Sequence, residues 1–318
     1  MKLHIIIVNY RTAALVVDCL RSLQPEIEAH GNTVVTIVDG ASGDDSVAAL
    51  EVACREADWT WVRVLALDVN GGFAYGNNAG IETALAEADG PEYVWLLNPD
   101  TYVRPGALMR LVDFMEARPE VGIAGSRLEN PDGSPRFAAF RFASPWSELE
   151  ASARCGPVSR LLQGQRINPP IRDEAHATDW VSGASLLVRR QVFDDIGMLD
   201  AAYFLYYEEA DFCLRAARAG WAIWHVPDSR VVHLVGQASG VTGARRNERR
   251  RPGYWFASRR RYFHKNHGVW TARAADALWL LGYALWTARR WVTRSPHIDP
   301  PRLARDFCRW SLRPGRTS

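Results

Sequence analysis

Short apolar runs and helical periodicities alternate through the first 130 residues. Leu3 to Val8 is a continuous apolar run closed by Asn9 and Tyr10. Val34 to Val38 follows, closed by Asp39, then Val62 to Leu67, Tyr93 to Leu97 and the shorter Val121 to Ala124. Between them, Ala13 to Leu23, Asp44 to Ala57, Gly76 to Ala88 and Ala107 to Glu116 carry apolar residues at helical spacing, the last behind Pro105 at a helix start. Apolar strands alternating with amphipathic helices predict an α/β fold, a mostly parallel central sheet flanked by helices. Such sheets bind ligands beyond the carboxyl ends of their strands. Asn9, Asp39, Asn70 and Asp100 all follow strand ends, so they are expected on one rim.

From Asn130 to Ala177 prolines and glycines interrupt the pattern, which predicts an irregular region with short helices over one side of a site. Regularity returns with Trp180 to Val188 as a strand and with Arg190 to Ile196 and Ala210 to Ala219 as helices. Val231 to Gly236 then places His233 at the end of a β-branched run.

Composition narrows the class. The 318 residues allow one large domain or two modest ones. Five cysteines with no CxxC pair argue against a zinc knuckle or a disulfide framework and fit a reducing cytoplasm. The opening MKLHIIIVNY reads as a buried first strand, being too short for a signal peptide. Charge is strongly asymmetric. Residues 1–244 carry 20 Lys and Arg against 32 Asp and Glu, whereas residues 245–318 carry 18 against 4. A basic tail on an acidic body suggests an anionic partner: lipid, a pyrophosphate-bearing substrate or nucleic acid. With no helix-turn-helix, zinc or RNA-binding signature, nucleic acid is set aside. The apolar run Ala277 to Ala288 is shorter than the ~20 residues of a spanning helix. With Trp279, Trp286 and Trp291 and flanking arginines, it suits either an interfacial helix on an anionic leaflet or a helix docked on the body.

Three segments carry chemistry. Asp100 ends LLNPDT and offers an oxygen ligand for a hard cation such as Mg2+ or Mn2+, although Asn-Pro-Asp is also good turn chemistry. Glu208, Glu209 and Asp211 open a helix behind the aromatics Tyr203, Phe204, Tyr206 and Tyr207. A carboxylate there can act as general base, and the same residues would also stabilise a helix N-terminus. In Asn70 to Gly80, Gly71 and Gly72 permit close backbone approach, and Asn77 and Asn78 open a helix whose amides favour an anion. This is not a GxGxxG dinucleotide loop. Asp39 in VDGASGDDS can bind a ribose or base edge or simply order a turn.

Taken in order, IIIVNYRT, VDGASGDDS, NGGFAYGNNAGI, LLNPDT, VSGASLLVRRQVFDDIGMLDAAYFLYYEEADFCLRAARAGW, VVHLVGQAS and SRRRYFHKNHG resemble the family 2 glycosyltransferases of the nucleotide-diphospho-sugar (A-type) fold. The nearest subgroup is the rhamnosyltransferase-like enzymes of bacterial surface polysaccharides. The resemblance implies a catalytic domain over residues 1–268, made of a nucleotide-sugar half (1–128), an acceptor half (129–240) and an arginine-rich loop and helix (241–268). A basic helical tail (269–318) would follow.

The resemblance also implies site roles. Asn9, Tyr10, Asp39, Asn70, Gly72, Phe73, Asn77, Asn78, Asn98 and Asp100 would hold the donor. Asp100 stands at the last position of the family's metal-binding DxD, reduced here to Asn98-Pro99-Asp100, and His233 would complete the metal site. Glu209 would be the base, with Glu208 and Asp211 beside it; Glu209 replaces the Asp usual in the family's Glu-Asp pair. Gly40 stands where Asn is usual, and Asn9-Tyr10-Arg11 where Thr-Tyr-Asn is common. Arg245 to Arg251 would close over the donor phosphates. The implied activity is inverting, metal-dependent transfer, first of L-rhamnose from dTDP-rhamnose, to a glycan or lipid-linked glycan. A UDP-sugar galactofuranosyl- or hexosyltransferase is the alternative, and a non-catalytic glycan- or nucleotide-sugar-binding protein the alternative of another class. The expected location is cytoplasmic, peripheral on the inner face of the membrane.

Overall fold

The computed structural model describes residues 2–234, 249–296 and 298–311. In chain order the elements are β1 (Leu3–Asn9), α1 (Ala13–His30), β2 (Thr33–Asp39), α2 (Ser46–Glu56), β3 (Val62–Ala66), α3 (Phe73–Leu85), β4 (Tyr93–Leu97), β5 (Thr101–Val103), α4 (Ala107–Glu116) and β6 (Val121–Glu129). Then come β7 (Ala139–Phe140), α5 (Pro145–Ala153), α6 (Gly156–Leu161), β8 (His176–Ala177), β9 (Trp180–Val181), β10 (Ser185–Arg189), α7 (Arg190–Ile196), α8 (Glu208–Arg218), β11 (Ala222–His233), α9 (Gly253–Thr293) and α10 (Leu303–Ser311). They group into two compact units. One comprises Met1–Phe140, Pro170–Phe204 and Glu208–Ser239; the other comprises Arg141–Pro169, Leu205–Tyr207 and Gly240–Ser318. This division departs from a break at residue 268, because 141–169 and 205–207 join the C-terminal helices.

The first unit is built on a sheet of order β3-β2-β1-β4-β10-β6-β11-β5, with β8 also paired to β11. Strands β3, β2, β1 and β4 are parallel, as their periodicity predicts. The sheet is mixed beyond them. Strand β10 runs antiparallel to both β4 and β6, and β5 closes the edge antiparallel to β11. The stretch read as one strand, Trp180 to Val188, is broken by a turn in which the Ser185 amide donates to the Ser182 carbonyl.

Side chains of β1 alternate between two covered faces. Leu3, Ile5 and Ile7 join Val16, Leu20, Leu23 and Ile27 of α1 in the main core. On the other face α3 lies close to the sheet, because a Cβ at Gly76 would press on Val8 and one at Gly80 on Ile6. Helix α1 was expected to stop at Leu23 but continues through Pro25 to His30. Its buried face outweighs one lost backbone bond, and Glu26 caps α4, accepting from the amides of Gly106 (2.6 Å) and Leu108 (2.9 Å).

The second unit has a small aromatic core of Phe256, Trp279, Leu303 and Phe307. Trp279 stacks on Phe307 with centroids 3.8 Å apart. Buried Arg259 bridges Glu148 (3.0 Å) and Asp276 (2.6 Å). Helix α9 breaks at Gly268, and a Cβ at Gly282 would collide with Ser152 of α5. Trp279 and Trp286, for which the sequence leaves membrane-facing and body-docked readings open, are buried in this unit; the Trp286 indole donates to Asp299 (3.0 Å). Trp291 remains exposed. Among the described residues, no helix is long and apolar enough to cross a membrane.

Candidate active site

Apart from Arg245 to Arg251, the site residues read from sequence lie in the first unit, with Asn9, Asp39 and Asn98 at the carboxyl ends of β1, β2 and β4. Asn9 and Asp39, adjacent in the parallel register, form the first cluster. The Asn9 amide donates to Asp39 Oδ1 (2.7 Å), which also accepts from the Ser42 hydroxyl (2.6 Å), while Asp39 Oδ2 accepts from the Ser42 amide (2.9 Å). Arg11 fastens the loop by donating from Nε to the Ser42 carbonyl (2.8 Å). Asp39 is therefore buried and largely satisfied by the protein, and it aligns two strand ends. Tyr10 beside it is exposed, with the Arg11 guanidinium over its ring. The sequence reading places Ser42 in a tight turn and Arg11 beside Tyr10 but counts neither among the site residues. The Asp39-x-x-Ser42 spacing of an Asx turn was the available signal.

The glycine loop comes next. Asn70 Oδ1 accepts from the Gly72 amide (3.0 Å), and the Phe73 amide donates to the Phe204 carbonyl (2.8 Å). Gly72 has φ 90°, and a Cβ there would run into the Phe204 carbonyl. The helix thus begins at Phe73, three residues before the predicted Gly76. Asn77 donates to the Phe73 carbonyl (2.9 Å). Asn78 clamps Leu199, donating to its carbonyl (2.7 Å) and accepting from its amide (3.1 Å). Both asparagines shape the wall with their side-chain amides engaged by the protein, because α3 starts early enough to turn them inward.

The β5–β11 edge makes the third cluster. Thr101 pairs with His233 in the ladder. His233 Nε2 consequently lies 3.2 Å from Asp100 Oδ1 and 3.3 Å from the Asn98 amide nitrogen. Asp100 Oδ1 and Asn98 Oδ1 are sealed from solvent with no hydrogen-bond partner among the described residues. A carboxylate oxygen and an imidazole nitrogen facing each other in this way fit a divalent cation, which takes oxygen ligands and accepts imidazole. No group of three His, Cys, Asp or Glu forms a complete ligand cage among the described residues, so other ligands would come from phosphate and water.

The fourth cluster is the start of α8. Glu208 is buried. Glu209 is half-buried, but its Oε2 is sealed from solvent and has no hydrogen-bond partner among the described residues. Burial raises the Glu209 pKa above the ordinary carboxylate value, partly offset by its own amide and that of Gly183. The turn Ser182 to Ala184 therefore links two ends of the site. Its Gly183 amide faces Glu209, while its Ala184 carbonyl accepts from the Asn98 amide (3.1 Å). A Cβ at Gly183 would sit 3.3 Å from the Phe73 ring and 3.9 Å from Glu209. Gly183 was not picked out from sequence; a Gly inside an apolar run, marking a break or close approach, was the signal.

Asp211 has a different role from the one expected. It is fully buried, accepts from the Tyr203 hydroxyl (3.2 Å) and pairs with Arg215 (3.0 Å), which also donates to the Ile196 and Met198 carbonyls (both 2.7 Å). That network makes it a strut behind the site. The aromatic run is divided: Tyr203 is buried and Phe204 exposed, while Tyr207 packs on Tyr262 in the second unit. Of the arginines expected over phosphates, Arg245 and Arg246 lie outside the described residues. Arg250 is held by Asp306 through two contacts of 2.6 and 2.5 Å.

The chain matches the family described as "Glycosyltransferase like family 2" over residues 2–255. It is 30% identical over 154 residues to N-acetylglucosaminyl-diphospho-decaprenol L-rhamnosyltransferase of Mycobacterium tuberculosis, a match covering 47% of this chain and 49% of that relative. It is 30% identical over 216 residues to the low-salt glycan biosynthesis hexosyltransferase Agl10 of Haloferax volcanii, covering 68% of this chain and 62% of that one. The chain thus spans about half to under two thirds of the length of these relatives. Among solved structures, the mannosyltransferase PcManGT of Pyrobaculum calidifontis with GDP-Man and Mn2+ superposes with TM-score 0.54 at 14% identity, covering 98% of this chain and 83% of that one. TarS 1-349 of S. aureus with UDP-GlcNAc gives TM-score 0.55 at 15% identity, covering 98% and 79%. These two likenesses show the shared fold.

Proposed function

The chain belongs to the glycosyltransferase like family 2, and from that premise we propose that it transfers a sugar from a nucleotide diphosphate to an acceptor hydroxyl with inversion. One observation carries the reading: Glu209 Oε2, a desolvated carboxylate oxygen without a hydrogen-bond partner among the described residues, is tied through the 182–184 turn to the Asn98, Asp100 and His233 cluster. A carboxylate so placed takes the proton of the acceptor hydroxyl as its oxygen bonds to the anomeric carbon. The anomeric bond to the donor phosphate breaks on the opposite side. Asp100 and His233 would hold a divalent cation, Mg2+ or Mn2+, whose charge offsets that of the departing diphosphate. Asn9 and Asp39 would fix the loop carrying Tyr10 at the nucleotide end, and Asn70, Gly72 and Phe73 would line the sugar end.

The donor we propose is a deoxysugar nucleotide, dTDP-rhamnose first, to a glycan or lipid-linked glycan. The support is similarity to an enzyme named as a rhamnosyltransferase acting on a diphospho-decaprenol. A UDP-hexose is the second reading, favoured by the longer match to a hexosyltransferase. The test is release of nucleoside diphosphate from dTDP-rhamnose, UDP-galactofuranose and UDP-hexoses, each with a lipid-diphosphate sugar acceptor. Turnover of none of them by a folded, metal-loaded protein would favour the binding-protein alternative.

The second unit supplies a surface for a membrane. On α9 the exposed residues Trp270, Leu281, Leu285, Trp291 and Val292 fall on one side at about 100° per residue, opposite buried Ala272, Ala275, Trp279, Gly282 and Trp286. Exposed Arg273, Arg289 and Arg294 flank that stripe. We assign it to peripheral contact with an anionic leaflet.

A further inference from the structure

A second polar constellation lies on the same sheet, outside the candidate active site. Glu129, at the end of β6, is completely buried, yet three arginines converge on it. Arg230 Nε donates to its Oε1 at 2.6 Å, Arg127 Nε lies 3.3 Å from the same oxygen, and Arg104 Nε lies 3.6 Å from Oε2. One arginine would neutralise a buried carboxylate. The second and third add positive charge that Glu129 does not balance.

The geometry gives that excess a direction. In all three side chains Nε is the guanidinium nitrogen nearest Glu129. The three side chains border a cavity of about 560 Å³ whose wall also includes Arg110 from α4. Asp173 and Asp228 stand on the wall as well, and Asp173 engages Arg127 Nη1 at 2.6 Å. No described residue partners Arg110 or the terminal nitrogens of Arg104 and Arg230. Guanidinium groups anchored on a buried carboxylate and lining a ligand-sized cavity are matched to the paired oxygens of a phosphoryl group.

Its position relative to the candidate metal site is fixed by the ladder. Thr101, Tyr102 and Val103 pair with His233, Val232 and Val231, and the next bond runs from the Arg104 amide to the Arg230 carbonyl (3.0 Å). Three strand residues, about 10 Å, therefore separate Arg104 and Arg230 from the residues beside Asp100.

We propose that this arginine pocket binds a phosphate or diphosphate group separate from that of the sugar donor. Two sources present that chemistry: the diphosphate of a lipid-linked acceptor, whose assignment rests on the transferase reading above, and a free phosphate compound acting as an effector.

Binding is tested first, without reference to turnover. The full chain, free of metal, is titrated calorimetrically with inorganic diphosphate, comparing wild type with Arg110→Gln, the double variant Arg104→Gln and Arg230→Gln, and Asp100→Ala. Arg110→Gln leaves Glu129 and its three contacts intact, so its fold should be unaffected. Both arginine variants should weaken binding by about ten-fold or more, the size expected for charged hydrogen bonds, while Asp100→Ala binds as wild type. Unchanged binding in Arg110→Gln, loss in Asp100→Ala, or no binding by wild type would overturn the proposal.

Kinetics then separate the sources. A raised KM for a lipid-diphosphate acceptor in Arg110→Gln, with no change for the same sugar lacking diphosphate, identifies the acceptor. A response to inorganic diphosphate during transfer to the diphosphate-free acceptor, absent in Arg110→Gln, identifies an effector. Failure of all transfer in wild type would sink the transferase reading while leaving the calorimetric result to stand.

Discussion

His233 Nε2 lies 3.2 Å from Asp100 Oδ1 because β5 and β11 form a three-residue antiparallel ladder that sets Thr101 opposite His233. Asp100 precedes that ladder and the Leu234 amide donates to its carbonyl (2.9 Å), so both backbones are fixed before any ligand arrives.

If this pair holds a cation, Mn2+ should stabilise the protein in the absence of any substrate. Binding to the folded state alone contributes about 2.7 kcal/mol at 100 times Kd. Asp100→Ala and His233→Ala should each abolish most of the Mn2+-dependent rise in Tm. An undiminished rise in both variants would place the cation elsewhere.

Glu209→Gln keeps the shape of the side chain but removes proton acceptance. Turnover should fall by ~10²–10⁴-fold while donor binding persists. The ionised base is the active form, so the wild-type rate should rise with pH through the Glu209 pKa, which burial holds above the usual carboxylate range. Glu209→Gln should flatten that limb. A dead Glu208→Gln beside an active Glu209→Gln would show the other carboxylate to be the base.

Gly72 and Gly43 both have positive φ, 90° and 66°, but only Gly72 faces a backbone carbonyl. Gly43→Ala should cost backbone strain alone, about 1–3 kcal/mol. Gly72→Ala should cost more in urea unfolding and should also weaken donor binding, since the loop must withdraw from Phe204. Equal losses in both would mean the Phe204 contact contributes nothing.

For the α9 stripe, Trp270→Glu with Trp291→Glu should reduce co-sedimentation with anionic vesicles without lowering Tm, because both residues are exposed. Binding should weaken with salt. Trp279→Ala, by contrast, removes a core stacking partner and should lower Tm. Vesicle binding unchanged in the double variant, or indifferent to lipid charge, would remove the membrane assignment.

His4 and His225 are buried, and burial lowers the pKa of each to about 4. Their unfolded forms titrate near 6.5, so the unfolded state takes up protons first as pH falls. Stability should decline between pH 6.5 and about 4, by an amount on the order of 3 kcal/mol for each histidine. Urea unfolding at pH 7, 5.5 and 4.5 reads this directly. A flat profile would mean that neither ring is held neutral.

Much of this protein was determined locally. The runs Leu3 to Val8, Val34 to Val38 and Tyr93 to Leu97 are apolar apart from His4 and Thr36, as a strand covered on both faces requires, and each is followed by the polar residue that reaches the rim. Pairing partners were not local. Strand β10 pairs antiparallel with β4 and β6, and a three-residue turn separates it from Trp180 and Val181, with which periodicity reads it as one strand. The same turn carries Gly183 to Glu209 and Ala184 to Asn98.

Side-chain roles divide in the same way. Sequence alone identified carboxylates, amides and an imidazole able to do transfer chemistry. Tertiary structure decided which of them are engaged by the protein and which are open. Asp211 is bound to Arg215 and Tyr203, and Asn78 to Leu199, whereas Glu209 and Asp100 each keep a buried oxygen without a hydrogen-bond partner among the described residues. Trp279 and Trp286 turned inward while Trp270 and Trp291 stayed out, because one face of α9 meets α5 and α10. Composition sets what a residue can do. Whether its hydrogen bonds are already satisfied depends on partners tens to hundreds of residues away, and only the fold brings those into contact.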